Sequence, residues 1–268
     1  MPRPIDLEVS VEIELGAWAV LIIGAAVAGC IDAVIGGGGL VLIPLLLAVV
    51  PGIAPATALG TNKLVGVTGT ASAAVTMVRK VGASISVRFI PVALVCAGLG
   101  AASASLIDAA VMRPVIIILM LAVGTFVALR PSFGTAVGGG DVGRWRRWAV
   151  MVAVGVIAFY DGIFGPGTGM FLIMAFTALL SQDFLRSAAM AKVVNTSTNL
   201  GALIVFAWGG HVWWQLGLIL ILANVAGAQL GARTVLGGGA KLVRVALLVV
   251  VIVMSSYLTW QQFFSGAA

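Results

Sequence analysis

Four charged residues lie inside otherwise apolar stretches, and their spacing repeats. Asp32 precedes Lys63 by 31 residues, and Asp161 precedes Lys192 by the same interval, so the two pairs are related by an offset of 129. A charged side chain at the centre of a bilayer costs roughly 2.5–3.5 kcal/mol on insertion scales. Charges kept at such a cost indicate either an anion site made by the lysines or Asp–Lys ion pairs that only hold helices together.

A glycine cluster follows each aspartate. One cluster, Gly36–Gly39, begins four residues after Asp32, and the other, Gly165–Gly169, begins four residues after Asp161. A helix broken at such a cluster exposes backbone N–H groups and the positive end of a dipole at the start of its second piece. The clusters therefore predict either a cavity that offers donors to an anion or close packing of helices. The donors expected at such a cavity are at Gly37, Gly38, Gly167 and Thr168.

Neutral polar side chains accompany both lysines. Lys192, Asn195 and Asn199 share one helical face, and two polar residues come directly before Lys63. Neutral donors around a cation suit a small oxyanion, whereas taken singly such side chains commonly join neighbouring helices. The predicted binding side chains are those of Thr61, Asn62, Lys63, Lys192, Asn195 and Asn199.

The aspartates have two possible roles. If ionised, Asp32 and Asp161 fix the lysines and the glycine turns, and if protonated, they carry a coupling proton. Burial and a nearby cation shift a carboxyl group in opposite directions. Since each half contains one lysine per aspartate, we expect the charges to balance within each half.

The composition places the chain in a membrane. Of its 268 residues, 61% are apolar and 9% are charged, against about a quarter charged in a soluble domain. The net charge of +6 indicates Lys and Arg in cytoplasmic loops, which set the orientation of a membrane protein. We therefore do not expect nucleic acid as a partner. The two cysteines show no metal-ligand spacing, so we predict neither metal nor cofactor. An intramembrane enzyme is disfavoured because the sole histidine lies in a loop and no glutamate lies in the apolar runs.

Apolar runs bounded by charge, glycine and proline predict ten segments in two halves. They are 16–35, 39–50, 55–78, 89–107 and 113–130, then 147–165, 168–181, 185–208, 212–232 and 241–262. The runs 39–50 and 168–181 fall short of the roughly 20 residues that a straight crossing needs, so each either spans obliquely or returns as a re-entrant limb. The predicted domains are an N-terminal extracytoplasmic segment 1–15, a first repeat 16–130, a cytoplasmic linker 131–147 and a second repeat 148–262.

Loop charge predicts that the second repeat is inverted. Loop 79–88 carries three basic residues and its counterpart 208–215 carries none, whereas loop 232–244 carries three and its counterpart 107–113 is neutral. Because basic loops stay in the cytoplasm, equivalent loops should lie on opposite sides. We expect an all-α polytopic membrane protein, an inverted repeat of two five-segment halves, with both termini extracytoplasmic and a site at the midplane. Ala97-Gly98 and Ala226-Gly227 also match at the offset of 129.

The motifs together resemble the sulfite exporter family TauE/SafE. The matching stretches are Asp32–Gly39, Leu59–Leu64, Phe159–Gly169, Lys192–Asn199 and Gly231–Arg233. The resemblance implies a multi-pass permease of a bacterial-type plasma membrane that moves sulfite or a related sulfur anion outward. Its expected partners are that anion and the lipid bilayer. The family is also associated with sulfonates and other organosulfur anions, so the alternative is a carrier or channel for another anion, including one that works in the uptake direction.

Overall fold

The computed structural model describes residues 14–237, apart from 51, 105, 109, 113, 120–121 and 123–142. Nearly all of the predicted N-terminal segment, most of the predicted linker and the last predicted helix, 241–262, therefore lie outside the described residues. All regular secondary structure in the described part is helical, which confirms the all-α prediction.

The helices follow the predicted apolar runs closely. They are α1 (Leu15–Ile35), α2 (Gly39–Val49), α3 (Pro55–Val81), a 3₁₀ helix (Ser84–Phe89), α4 (Ile90–Ala104), α5 (Ala110–Leu119), α6 (Arg144–Ile163), α7 (Thr168–Leu180), α8 (Phe184–Trp208) and α9 (Trp214–Leu236). Within the described residues, three stretches are long and apolar enough to cross a membrane by length and composition: Leu15–Ile35, Ser84–Ala104 and Trp214–Leu236. The helices α3 and α8 are also long but more polar, because they carry the lysines and asparagines.

Helix α6 begins earlier than predicted. It starts at Arg144, so three arginines assigned to the linker form its first turn. Basic residues are unfavourable at a helix N-terminus, and the sequence prediction placed the start at the apolar run that follows them. The structure shows a compensating contact, since Arg146 Nη2 donates a hydrogen bond of 2.6 Å to the carbonyl oxygen of Ala178.

The two short apolar helices fold back along the helices that precede them. Ala178 lies in the last turn of α7, so its bond to Arg146 joins the far ends of α6 and α7. In the first half, a Cβ added to Gly24 would overlap the side chain of Leu45, which places α2 alongside α1. Gly36, with a φ of 75°, ends α1 in the left-handed region where the chain reverses. Each half therefore contains a helical hairpin with a glycine turn, as the re-entrant alternative requires.

Equivalent helices of the two halves run antiparallel. A Cβ added to Gly60 on α3 would lie 3.0 Å from Phe206 Cβ on α8, and one added to Gly66 would lie 3.1 Å from Asn199 Oδ1. Residue numbers thus rise along α3 as they fall along α8. A parallel repeat would align these helices in the same direction, so the packing favours the inverted arrangement. The sidedness of the chain in a membrane stays a prediction.

The packing of α4 and α9 corrects one detail of the repeat. Gly100 packs against Phe159 and Gly162, while Gly231 packs against Cys30 and Ala33. The residue numbers of the corresponding partners differ by 129, but the residue numbers of the two glycines differ by 131. The match of Ala97-Gly98 to Ala226-Gly227 is therefore wrong by two residues, because the connections before these helices differ in length.

The sidedness can be tested by cysteine labelling in a chain whose Cys30 and Cys96 are replaced by alanine. Ser84 lies just after the end of α3 and Trp208 is the last residue of the antiparallel helix α8, and both are exposed. We expect Ser84→Cys to react with a membrane-impermeant thiol reagent only from the cytoplasmic side and Trp208→Cys only from outside, because the loop after α3 is basic. Labelling of both from the same side would contradict the inverted repeat.

Candidate functional site

The four buried charges form two ion pairs that cross between the halves. Lys63 Nζ lies 2.9 Å from Asp161 Oδ2, and Lys192 Nζ lies 3.1 Å from Asp32 Oδ2. The expectation that each half balances its own charge is therefore wrong. The lysine side chains are only 1% and 0% exposed, and a buried charge that loses its partner is strongly destabilising.

The crossing follows from the contact between the two glycine turns. A Cβ added to Gly36 would overlap the backbone of Gly169, and one added to Gly169 would overlap the backbone of Gly36. Only glycine, which has no Cβ, permits the two backbone segments to approach this closely. Each aspartate lies about one helical turn before its glycine cluster, so the contact brings each carboxylate next to the lysine-bearing helix of the other half.

Each aspartate also holds its own turn. Thr168 Oγ1 lies 2.7 Å from Asp161 Oδ1 and 2.9 Å from the carbonyl oxygen of Gly165. In the first half, Gly38 N donates to Asp32 Oδ1 at 3.3 Å. A carboxylate that accepts such hydrogen bonds fixes the backbone of the turn, which is the structural role predicted for an ionised aspartate.

A small polar cavity of about 30 Å³ lies where the glycine turns meet α3, α8 and α9. Several residues predicted for the site line it together, and these are Asp32, Gly38, Asn62, Lys63, Asp161, Asn195 and Asn199. They come from both halves. A volume of this size accommodates a water-sized group, so a larger anion requires the cavity to widen.

The other predicted residues do not line this cavity. Thr61 Oγ1 accepts a hydrogen bond of 3.0 Å from Trp213 N and ties α3 to the start of α9. Lys192 is buried behind Asp32, and Thr168 is bound to Asp161. The remaining two residues, Gly37 and Gly167, are part of the glycine turns and are buried there.

The residues that line the cavity differ in how many of their N–H donors are already used within the protein. Asn199 Nδ2 donates to the carbonyl oxygen of Asn195 at 2.8 Å, so part of its capacity is used within α8. Lys63 has three N–H donors, and in the described residues its polar contact is the single oxygen of Asp161. Within the same part of the chain, the amide of Asn62 makes no hydrogen bond. Lys63 and Asn62 thus keep donors for a ligand.

One lining residue, Asn224, is absent from the predicted set. It lies on α9, is 5% exposed, and its Nδ2 donates to the carbonyl oxygen of Ala25 at 3.0 Å. Its counterpart at the offset of 131 is Ala93, so the repeat gave no signal for it. The signal present in the sequence is a lone amide in the middle of an apolar run.

Crossed ion pairs and a polar cavity thus lie between the two halves of an all-helical protein that has apolar helices long enough to span a membrane. The family model described as sulfite exporter TauE/SafE matches residues 21–258. The chain belongs to this family of membrane transporters, as its motifs predicted.

Curated relatives carry the same general description. The chain is 36% identical over 247 residues to "Probable membrane transporter protein YfcA" of Escherichia coli K12, covering 90% of this chain and 89% of the relative. It is 36% identical to "Probable membrane transporter protein ORF9" of a Sinorhizobium species, over 88% and 90% of the two chains. A "Probable membrane transporter protein" of Haemophilus influenzae is 34% identical, over 94% and 98%. No solved structure matches the chain significantly.

Proposed function

We propose that this protein is a secondary transporter of the bacterial inner membrane that exports sulfite or a related small sulfur oxyanion through a central site between its halves. The observation that carries this proposal is the cavity in which Lys63 and Asn62 keep N–H donors between two glycine turns. An ammonium group and neutral amides are donors suited to oxyanion oxygens.

The proposed site contains those residues predicted from the sequence that line the cavity. Lys63 and Lys192 supply positive charge, while Asp32 and Asp161 support the lysines and the turns. Of the predicted neutral groups, Gly38, Asn62, Asn195 and Asn199 line the cavity, whereas Thr61, Gly37, Gly167 and Thr168 belong to the helices and turns that support it.

The membrane potential supports export over uptake. The sequence contains no phosphate-binding loop for a nucleotide, so a gradient or the potential has to drive transport. An inside-negative potential favours outward movement of an anion by about 2.3 kcal/mol per charge per 100 mV. Uptake would have to overcome this free energy and would need a coupled cation.

Flux into liposomes tests the proposal. Purified protein is reconstituted, and labelled sulfite is followed with the potential clamped at either sign, alongside thiosulfate, sulfate, sulfoacetate and taurine as competitors. We expect protein-dependent sulfite flux in the direction that the potential favours, reduced by the competitors that bind. Absence of flux for every anion, with correctly inserted protein, would contradict the proposal.

Asn224 provides a test of the cavity. We expect Asn224→Ala to raise the half-saturating sulfite concentration several-fold, because it removes an amide that faces the cavity. Gln229→Ala is the matched control: it lies on the same helix and bonds Ser72 and Thr76 on α3, but it does not line the cavity. Asn224→Ala loses one interhelical hydrogen bond and Gln229→Ala loses three, each worth about 1 kcal/mol, so the control is destabilised at least as much. Equal shifts in half-saturation for the two variants would argue against binding in this cavity.

A further inference from the structure

We propose that the two lysines have unequal roles: Lys63 contacts the transported anion, whereas Lys192 is a positioning residue that neutralises Asp32 and fixes the end of α1. The sequence repeat assigns both lysines the same role, but their surroundings differ. This inference rests on the proposed function, because it concerns the binding of the anion at that same site.

Both polar contacts of the Lys192 ammonium group in the described residues are made to Asp32 of the first half. Its Nζ donates to the backbone carbonyl oxygen of Asp32 as well as to Asp32 Oδ2. That carbonyl belongs to the last turn of α1 and also accepts from Gly36 N at 2.7 Å. A cation bound to the last carbonyls of a helix complements its dipole. The side chain is 0% exposed and does not line the cavity, so Lys192 stabilises the end of α1 and its carboxylate.

Lys63 has a different arrangement although it occupies the equivalent position. Its ammonium lines the cavity and contacts Asp161 Oδ2. Among the described residues, it shows no counterpart of the bond that Lys192 makes to a backbone carbonyl. The Asp161 carboxylate is held on its other oxygen by the Thr168 hydroxyl at 2.7 Å, whereas glycine stands in place of this threonine in the first half and Asp32 Oδ1 accepts only the longer bond of 3.3 Å from Gly38 N. Asp161 can thus stay in place when Lys63 turns toward an anion.

Charge explains why Lys192 is needed although it is remote from the cavity. The side chain of Asp32 is 16% exposed and lines the cavity, where an unneutralised carboxylate would repel an anion. Lys192, which does not line the cavity, neutralises the charge of the Asp32 carboxylate. Removing Lys192 and the Asp32 charge together should therefore preserve binding, whereas removing Lys63 and the Asp161 charge together should not.

Two double variants test the inference, Lys192→Met/Asp32→Asn and Lys63→Met/Asp161→Asn. Each removes one positive and one negative charge, so the net charge stays constant and the two variants are matched. The readout is the sulfite concentration that gives half of the ligand-induced rise in melting temperature of the purified protein. We expect a shift of at most about threefold for the Lys192 variant and of about tenfold or more, equivalent to about 1.4 kcal/mol, for the Lys63 variant. A shift in the Lys192 variant equal to or larger than that in the Lys63 variant overturns the inference.

Two further arms keep the outcome decisive. If sulfite does not stabilise the wild type, the proposed substrate is wrong, and the same comparison is made with whichever of thiosulfate, sulfate or sulfoacetate does stabilise it. If the Lys192 double variant does not fold, Lys192→Arg takes its place, because it keeps the charge that neutralises Asp32 while it changes the shape of the donor. A shift in the half-saturating ligand concentration of this variant as large as that of the Lys63 double variant overturns the inference that the lysines have unequal roles.

Discussion

Gly165→Ala is expected to remove most transport activity and to lower the melting temperature. A Cβ at this position would lie 2.7 Å from Lys63 Nζ and 2.8 Å from Asp161 Oδ1, closer than real Cβ atoms come to other groups. The residue also has a φ of 90°, where a side chain adds strain of about 1–3 kcal/mol. The methyl group therefore both strains the turn and separates the ion pair that borders the cavity.

Gly52→Ala separates the two effects. Gly52 has a φ of 70°, but an added Cβ there meets no atom within 4 Å, so this variant carries the backbone strain without the collision. Flux per inserted molecule and thermal unfolding are measured for both. We expect Gly52→Ala to retain flux. Similar behaviour of the two variants would mean that the contact with Lys63 and Asp161 is unimportant.

Removing Lys63 or Asp161 singly is expected to lower the free energy of unfolding by roughly 3–5 kcal/mol, because each leaves the other charge buried without its partner. The double variant Lys63→Ala/Asp161→Ala should lose much less than the sum of the single losses. Denaturation of the four proteins gives the interaction energy, which for contacting groups is about 0.5–3 kcal/mol.

The matched control is the pair within the first half. A second cycle with Lys63→Ala and Asp32→Ala should give a smaller interaction energy, since Asp32 is paired with Lys192. If the within-half cycle shows the larger interaction energy, the crossed pairing is contradicted.

Local features of the fold could be predicted from the sequence because they depend on local composition. Apolar runs and their glycine boundaries predicted most helix limits to within a few residues. Each short helix folds back along the helix before it, and whether it crosses the bilayer stays a prediction. The start of α6 was placed three residues late because the arginines were assigned to the polar linker before the apolar run, and arginines are unfavourable in the first turn of a helix. The bond of Arg146 to α7 that offsets their cost is a tertiary contact.

The partners within the site could not be predicted for a similar reason. The repeat identified both lysines and both aspartates, but a constant offset does not say which lysine meets which aspartate. That choice depends on the close approach of Gly36 to Gly169, which are far apart in the chain. Asn224 was missed because its counterpart in the other half, Ala93, is apolar.

The crossed ion pairs have a consequence for biosynthesis. When the first half leaves the ribosome, Asp32 and Lys63 are already made, but their partners Lys192 and Asp161 are not. The nascent first half therefore enters the translocation machinery with two charges whose final counterions are still to be synthesised. It can complete its folding only when the second half arrives, so the two halves mature as one unit rather than as successive independent domains.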